Sequence, residues 1–343
     1  MKLEVHDLDD LALGATLLGS GGGGDPSADL LLAKEMIQAI GSIDCVSVDE
    51  IPDSADIITA GSIGAPLVSI EKLTSDGEWR RAAELLGTKF WGIASAEIGG
   101  SNAFAGIIAS IECGARLIDA DTLGRAFPYV HISSCVVHGV SPSPSSVVGG
   151  QHDGVVIHCT TPQMLEALAR PLVTVLGSTA SGLLYPMRGA VAKRALVRGS
   201  VSRAIALGKL LKKSKTVAEF LTQVPSKHLG RGVIVDIIQH VEDGFLRGEV
   251  VVECETSRIR VDIQNEYLIV RDDRKVLGTT PDIIALLDSN TLKPIASDQV
   301  RFGMSVDVAM IAAPSIWKSA EGLTLTSPKA FGYNVEAVLL CID

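Results

Sequence analysis

Near residue 232 the hydrophobic pattern of this chain changes period, which limits the fold to two differently built halves. Beyond that point Ile259, Val261 and Ile263 alternate with Arg258, Arg260 and Asp262, and Val300, Phe302, Met304, Val306, Val308 and Met310 recur at every second position. Side chains of a strand point alternately to two faces, so a period of two describes strands with one buried face. The runs Glu242-Asp-Gly244 and Asp272-Asp273 supply turns between them. We therefore expect an antiparallel β-barrel-like domain over residues 232–343. Before the change, short apolar runs alternate with segments of helical spacing. That predicts a three-layer α/β/α domain with a mostly parallel sheet over residues 1–165, followed by a helical connection over 166–231.

Within the first half, one stretch stands out chemically. Four glycines, Gly21, Gly22, Gly23 and Gly24, run into Asp25 and Pro26. Without Cβ atoms they can bring backbone amides close to a bound group. Asp25 suits an N-cap and Pro26 a first helical residue, so the spacing predicts a helix over about residues 26–40. Its N-terminus would form an anion or oxyanion site, with Ser20 and Gly21 to Gly24 as binding residues. Gly19, Gly21 and Gly24 satisfy the letters of a dinucleotide fingerprint, but that motif follows a strand. Here Leu8, Leu11, Ala12, Ala15 and Leu18 have the spacing of a helical face. A nucleotide site is therefore disfavoured, and a plain helix-to-helix connector remains the competing reading.

Two further stretches carry polar residues where a parallel sheet presents its ligands, at the carboxyl ends of strands. A strand over residues 89–95 leads through Glu97 and two glycines to Asn102 at the start of a helix. Glu97 could orient water and Asn102 could hold a ring amide or simply cap the helix. Asp119 and Asp121, two apart, would share one side of an extended segment and divide the roles of acid and base. Arg125 could clamp a substrate carboxylate. The alternative for this segment is a turn whose aspartates bond its own backbone.

Residues 128–154 break the pattern with Pro128, Pro142 and Pro144, and read as a long loop or flap. They include His131, Cys135 and His138, which would share one face of a helix, with His152 nearby. On a strand His138 would point away, and neither H-E-x-x-H nor C-x-x-C is present, so no cofactor is expected and a divalent metal is the weaker option. The six cysteines are scattered and read as reduced thiols. The charged start MKLEVHDLDD and the lack of a membrane-length apolar run suggest a cytoplasmic protein with no membrane partner. A net charge of −10 disfavours nucleic acid. Only Arg188 to Lys215 is purely basic, which is read as a solvated or inter-subunit helix. Small residues and an alternating β-domain make a homo-oligomer the expected assembly.

The motifs LGSGGGGDP at 18–26, AEIGGSN at 96–102 and DADTLGRAFP at 119–128, with Leu292-Lys-Pro-Ile-Ala296 and the run from Ile316 to Tyr333, resemble the S-methyl thiohydantoin desulfurase family. The resemblance spans nearly the whole chain, in order. It implies an N-terminal α/β/α domain, a C-terminal β-barrel-like domain and hydrolytic removal of a methylthio group from a thiohydantoin ring. Tyr129 to Cys135 departs from the acidic and apolar residues of that pattern, and the linker between domains is short. The expectation is a hydrolase of a small cyclic thioureide or ureide. Water would attack ring C2 with help from Glu97, Asp119 or Asp121, and Asp25 or the second carboxylate would protonate the leaving group. A binding or assembly protein that uses the same pocket is the competing class.

Overall fold

The computed structural model describes residues 1–64, 77–242 and 244–341. Of the run Gly61-Ser-Ile-Gly-Ala-Pro66, whose glycines and proline predict a turn, Gly61 to Gly64 end a strand, while Ala65 and Pro66 lie outside these residues, as does Asp243 of the turn expected at 242–244.

The first sheet comprises β1 (Lys2–Leu3), β2 (Ile43–Val46), β3 (Asp56–Gly64), β4 (Gly92–Ser95), β5 (Arg116–Ile118), β7 (Ser145–Val148), β8 (Gly154–Ile157) and β9 (Thr179–Arg188). Their order is β1-β2-β5-β4-β3-β9-β7-β8. The run β2-β5-β4-β3 is parallel, and antiparallel strands extend it at both ends. Successive residues on a strand enter opposite cores. Ile58, Ile93, Leu117 and Leu183 pack with helices Val5–Leu18, Ser27–Ile40, Glu78–Leu86 and Asn102–Cys113. Ile57, Ala94, Ile118 and Leu184 pack with helices Pro162–Val175 and Gly189–Ala195. Both faces are therefore covered, as a three-layer α/β/α domain requires.

The expected helical connection over 166–231 is corrected by β9, which sits inside the first sheet. Its interior is buried almost throughout, so it lacks the alternation by which half-exposed strands are recognised. The expected loop over 128–154 likewise holds the short helix Ser134–Val137 and strand β7. The basic segment is two helices, Gly189–Ala195 and Ser200–Lys213, with the two-residue strand β10 (Val197–Arg198) between them pairing with β6 (Ala120–Asp121). Helix Ser200–Lys213 is not solvated all round, because one face, with Val201, Ala204, Gly208 and Leu211, is buried within the chain. It crosses helix Val5–Leu18, where Lys209 and Lys212 meet Asp7 and Asp10 at 3.2 and 2.6 Å.

The second sheet is antiparallel throughout. It contains β11 (Ser226–Glu242), β12 (Phe245–Cys254), β13 (Arg258–Gln264), β14 (Glu266–Arg271), β15 (Val276–Thr279), β16 (Ile283–Asp288) and β17 (Ser305–Ile311), in the order β15-β14-β13-β12-β11-β17-β16. It curls until β14 and β15 lie against β16, giving a half-barrel with its own core of Ile234, Val252, Val261, Ile284 and Val308. The expected α/β plus antiparallel β organisation holds. Leu123, Phe127 and Ile132 pack with Leu268, Trp317 and Phe331, so the Ala-Phe-Pro segment is gripped by the second half.

Candidate active site at the junction of the two halves

The glycine run connects two helices, Val5–Leu18 and Ser27–Ile40, and its sharp path is fixed from both halves. Ser20 is buried; its hydroxyl donates to Ile284 O and accepts from Ile284 N–H, both at 3.0 Å, and its carbonyl accepts from Tyr267 N–H at 2.7 Å. It anchors the loop to the half-barrel, so its expected role in substrate binding is corrected to a structural one. Two glycines are required by close approach. A Cβ on Gly22 would lie 1.9 Å from Glu266 Oε1, and one on Gly23, where φ is +81°, would lie 2.4 Å from Gly99 O. Gly21 packs on the Tyr267 ring, so of the four only Gly23 and Gly24 face open space. Asp25 is at the rim. Its carboxylate accepts from Ser27 N–H at 2.8 Å and from Gln299 Nε2 at 3.1 Å, and so caps the helix from one residue farther away than expected.

That open space is a cavity of about 360 Å³, bordered by residues 23–25, Ala96 and Glu97, Thr122 and Leu123, and by Asn265 and Glu266 of the half-barrel. Three distant segments of the first half thus meet one of the second. The volume suits a small heterocycle. Phe127, Tyr129 and Tyr185 contribute aromatic wall, and Phe331 stacks behind Phe127 and Tyr129 at centroid distances of 6.4 and 6.0 Å.

Glu97 follows β4 and is buried. Asn102 Nδ2 donates to its Oε1 at 2.6 Å, and Phe127 N–H donates to Oε2 at 3.3 Å. Asn102 is itself held, because its Oδ1 accepts from Ser62 N–H at 2.6 Å. Its amide orients Glu97 instead of capping a helix, and Asn102 itself borders the cavity. Burial pushes the Glu97 carboxyl up to about 7, against the lowering effect of these two donors.

The aspartate pair separates. Asp119 accepts from Ser202 N–H at 3.0 Å and from the Ser202 hydroxyl, which ties β5 to helix Ser200–Lys213. Asp121 is fully buried, and its Oδ2 accepts from Ile98, Leu123 and Gly124 N–H at 2.8, 3.1 and 2.7 Å. Burial raises its carboxyl to about 7. Neither lines the cavity, so the acid and base dyad read from their spacing is corrected; Asp121 braces the loop that carries Glu97. Arg125 is corrected as well. Its guanidinium is buried, stacks on Phe127 at 4.4 Å and donates to the carbonyls of Ala126, Pro281 and Asp282 at 2.8, 2.6 and 2.9 Å. A clamp on a substrate carboxylate is not available from there.

The four residues weighed as metal ligands go separate ways. His131 stacks on Tyr129, Cys135 is buried beside Tyr185 and Ser133, His138 ends a one-turn helix, and His152 sits in a turn with φ +64°. Among the described residues no three His, Cys, Asp or Glu side chains are grouped to hold a metal.

Glu266 was not singled out from sequence. It opens β14 next to Asn265, is 2 % exposed, lines the cavity opposite the first-half segments, and has an Oε2 with no hydrogen-bond partner among the described residues. The available signal was a carboxylate standing at the head of the apolar run Tyr-Leu-Ile-Val.

An α/β domain and an antiparallel half-barrel that close on a buried carboxylate cavity define the class of protein. The chain belongs to the S-Me-THD-like family, the S-methyl thiohydantoin desulfurase-like proteins. The family's N-terminal domain matches residues 6–159 and its C-terminal domain residues 160–340. Strand β9 therefore falls in the C-terminal family domain while completing the N-terminal sheet. No curated protein matches the chain. A crystal structure of a protein from Chromobacterium violaceum has the same fold, with a TM-score of 0.84 at 23% identity, over 99% of this chain and 100% of that one. Among the described residues no helix is long and apolar enough to cross a membrane.

Proposed function

We propose that the junction cavity hydrolyses a small five-membered cyclic isothioureide, with an S-methyl thiohydantoin as its model substrate. Water held by Glu97 attacks ring C2, and methanethiol leaves. The observation that carries this reading is Glu97 itself, a buried carboxylate fixed by Asn102 and Phe127 N–H at the wall of a cavity of ligand size. A general base works best when its pKa lies near the working pH, and burial brings Glu97 there. Fixing it through Asn102 removes the reorganisation that a free side chain would need. The aromatic residues Phe127 and Tyr129 give a flat ring a surface to lie against. Gly23 and Gly24 bring bare backbone to the same cavity, where their amides can face an oxygen that gains charge.

Arg125, committed to backbone carbonyls, holds no carboxylate substituent of the ring. The test is incubation of the purified protein with S-methyl thiohydantoins, hydantoins and related lactams, with thiol release and ring products followed separately. Thiol and hydantoin should appear in equal amounts. Calorimetric binding without turnover across the panel would replace the hydrolase by a binding protein.

A further inference from the structure

We propose that Glu266 is the proton donor of this site, delivering a proton to the ring nitrogen while Glu97 takes one from water. The proposal deepens the hydrolase reading and rests on it. Glu266 comes from β14 in the half-barrel, whereas Glu97 comes from the α/β domain, and they border the same cavity from different halves. Their charge states follow from what surrounds them. Among the described residues Arg125 is the cation that acts on both carboxyls; Arg170 also acts on Glu266, but its guanidinium is already paired with Glu166 at 2.6 Å. The other carboxylate near Arg125, Asp282, already has Lys318 Nζ at 3.1 Å and accepts the N–H groups of Ala313 and Leu340. One guanidinium therefore balances one of the two glutamates, and the second stays neutral, because two uncompensated buried carboxylates are costly.

The hydrogen bonds decide which one is neutral. Both oxygens of Glu97 accept from N–H donors, which favours its ionised form. The Glu266 carboxyl receives its own backbone N–H, and among the described residues nothing donates to its Oε2, although it is buried. Burial, and then the Glu97 charge, raise the Glu266 carboxyl well above the ordinary range. A buried polar oxygen without a partner costs about 1–3 kcal/mol. A ring nitrogen in the cavity would supply that partner.

The reaction then closes on itself. The water oxygen forms a bond to C2, the π pair of the C2–N double bond moves to nitrogen, nitrogen takes the Glu266 proton, and Glu97 takes the water proton. In the collapse the C2–S bond breaks and sulfur leaves with the electron pair and the Glu97 proton. The hydroxyl on C2 returns its proton to Glu266 as the carbonyl forms. Water and substrate give hydantoin and methanethiol, and both glutamates end as they began.

The test compares wild type, Glu266→Gln and Glu97→Gln on two substrates. One is a neutral S-methyl thiohydantoin; the other carries methyl groups on both ring nitrogens, is permanently cationic and needs no protonation at nitrogen. On the neutral substrate Glu266→Gln should lose about 10²- to 10³-fold in kcat. On the cationic one it should approach wild type, whereas Glu97→Gln stays impaired on both. An equal loss of Glu266→Gln on both substrates, or no loss on either, overturns the donor role while leaving a thiol-releasing wild type intact. A wild type that releases thiol from neither overturns the hydrolase reading and this role with it. Should Glu266→Gln fail to fold, the wild type still decides. Its rate on the neutral substrate should fall as rising pH ionises Glu266, its rate on the cationic substrate should not, and a fall shared by both contradicts the proposal.

Discussion

Glu97 binds its proton more tightly when folded, and this affects stability and activity in opposite directions. Its carboxyl lies at about 7 in the folded chain against an ordinary value of 4.5. Below 4.5 both folded and unfolded chains hold the proton. Between 4.5 and 7 only the folded chain does, so stability falls as pH rises through that window and is level above it. Activity that uses the ionised base rises through about pH 7 instead. Glu97→Gln should therefore narrow the difference between Tm at pH 5 and Tm at pH 8, measured by scanning calorimetry; an unchanged difference would mean that Glu97 titrates normally. Glu97 was legible in the sequence because it follows a strand and precedes two glycines and a helix start. Glu266 was not, because its counterpart across the cavity is remote in sequence and its one local sign, a place at the head of an apolar run, does not distinguish a buried acid from one at a strand end. Asp119 and Asp121 misled for the converse reason. Their spacing is real, but Asp119 turns to a serine on a helix far along the chain and Asp121 to backbone amides.

Among the elements, the crossing of helices Val5–Leu18 and Ser200–Lys213 shows how the small residues of this chain are used. An added Cβ would stand 1.8 Å from Ala204 O at Gly14 and 1.9 Å from Asp10 O at Gly208. The helices therefore approach backbone to backbone, and overpacking a contact of this kind costs about 1–3 kcal/mol. Gly14→Ala and Gly208→Ala should each lower the urea midpoint without changing the m-value; full stability in both would show that the helices can move apart freely. The first helix was readable from its apolar face. The crossing was not, since Gly208 falls on the periodic face of its helix but does not say which helix comes close to it. Strand β9 escaped for another reason. Covered on both sides and written in Thr, Ala, Ser and Gly at its start, it offers no alternation to read.

For the whole molecule, the change of period near residue 232 indicated two halves but not where they touch. The junction is made by groups whose partners lie more than a hundred residues away. Ser20 bonds to the half-barrel, Arg125 reaches Pro281 and Asp282, and Trp317 Nε1 donates to Leu123 O at 2.6 Å. These contacts hold the glycine loop, the Glu97 loop and Glu266 around one cavity, so chemistry assigned to either half depends on the other. The most direct test is thiol release from an S-methyl thiohydantoin by wild type and by Glu97→Gln, with ligand affinity measured in parallel. Wild type should turn over, and the variant should bind with similar affinity while losing about 10²- to 10⁴-fold in rate. Undiminished thiol release by Glu97→Gln would contradict the assignment of this cavity as a hydrolytic centre built on Glu97.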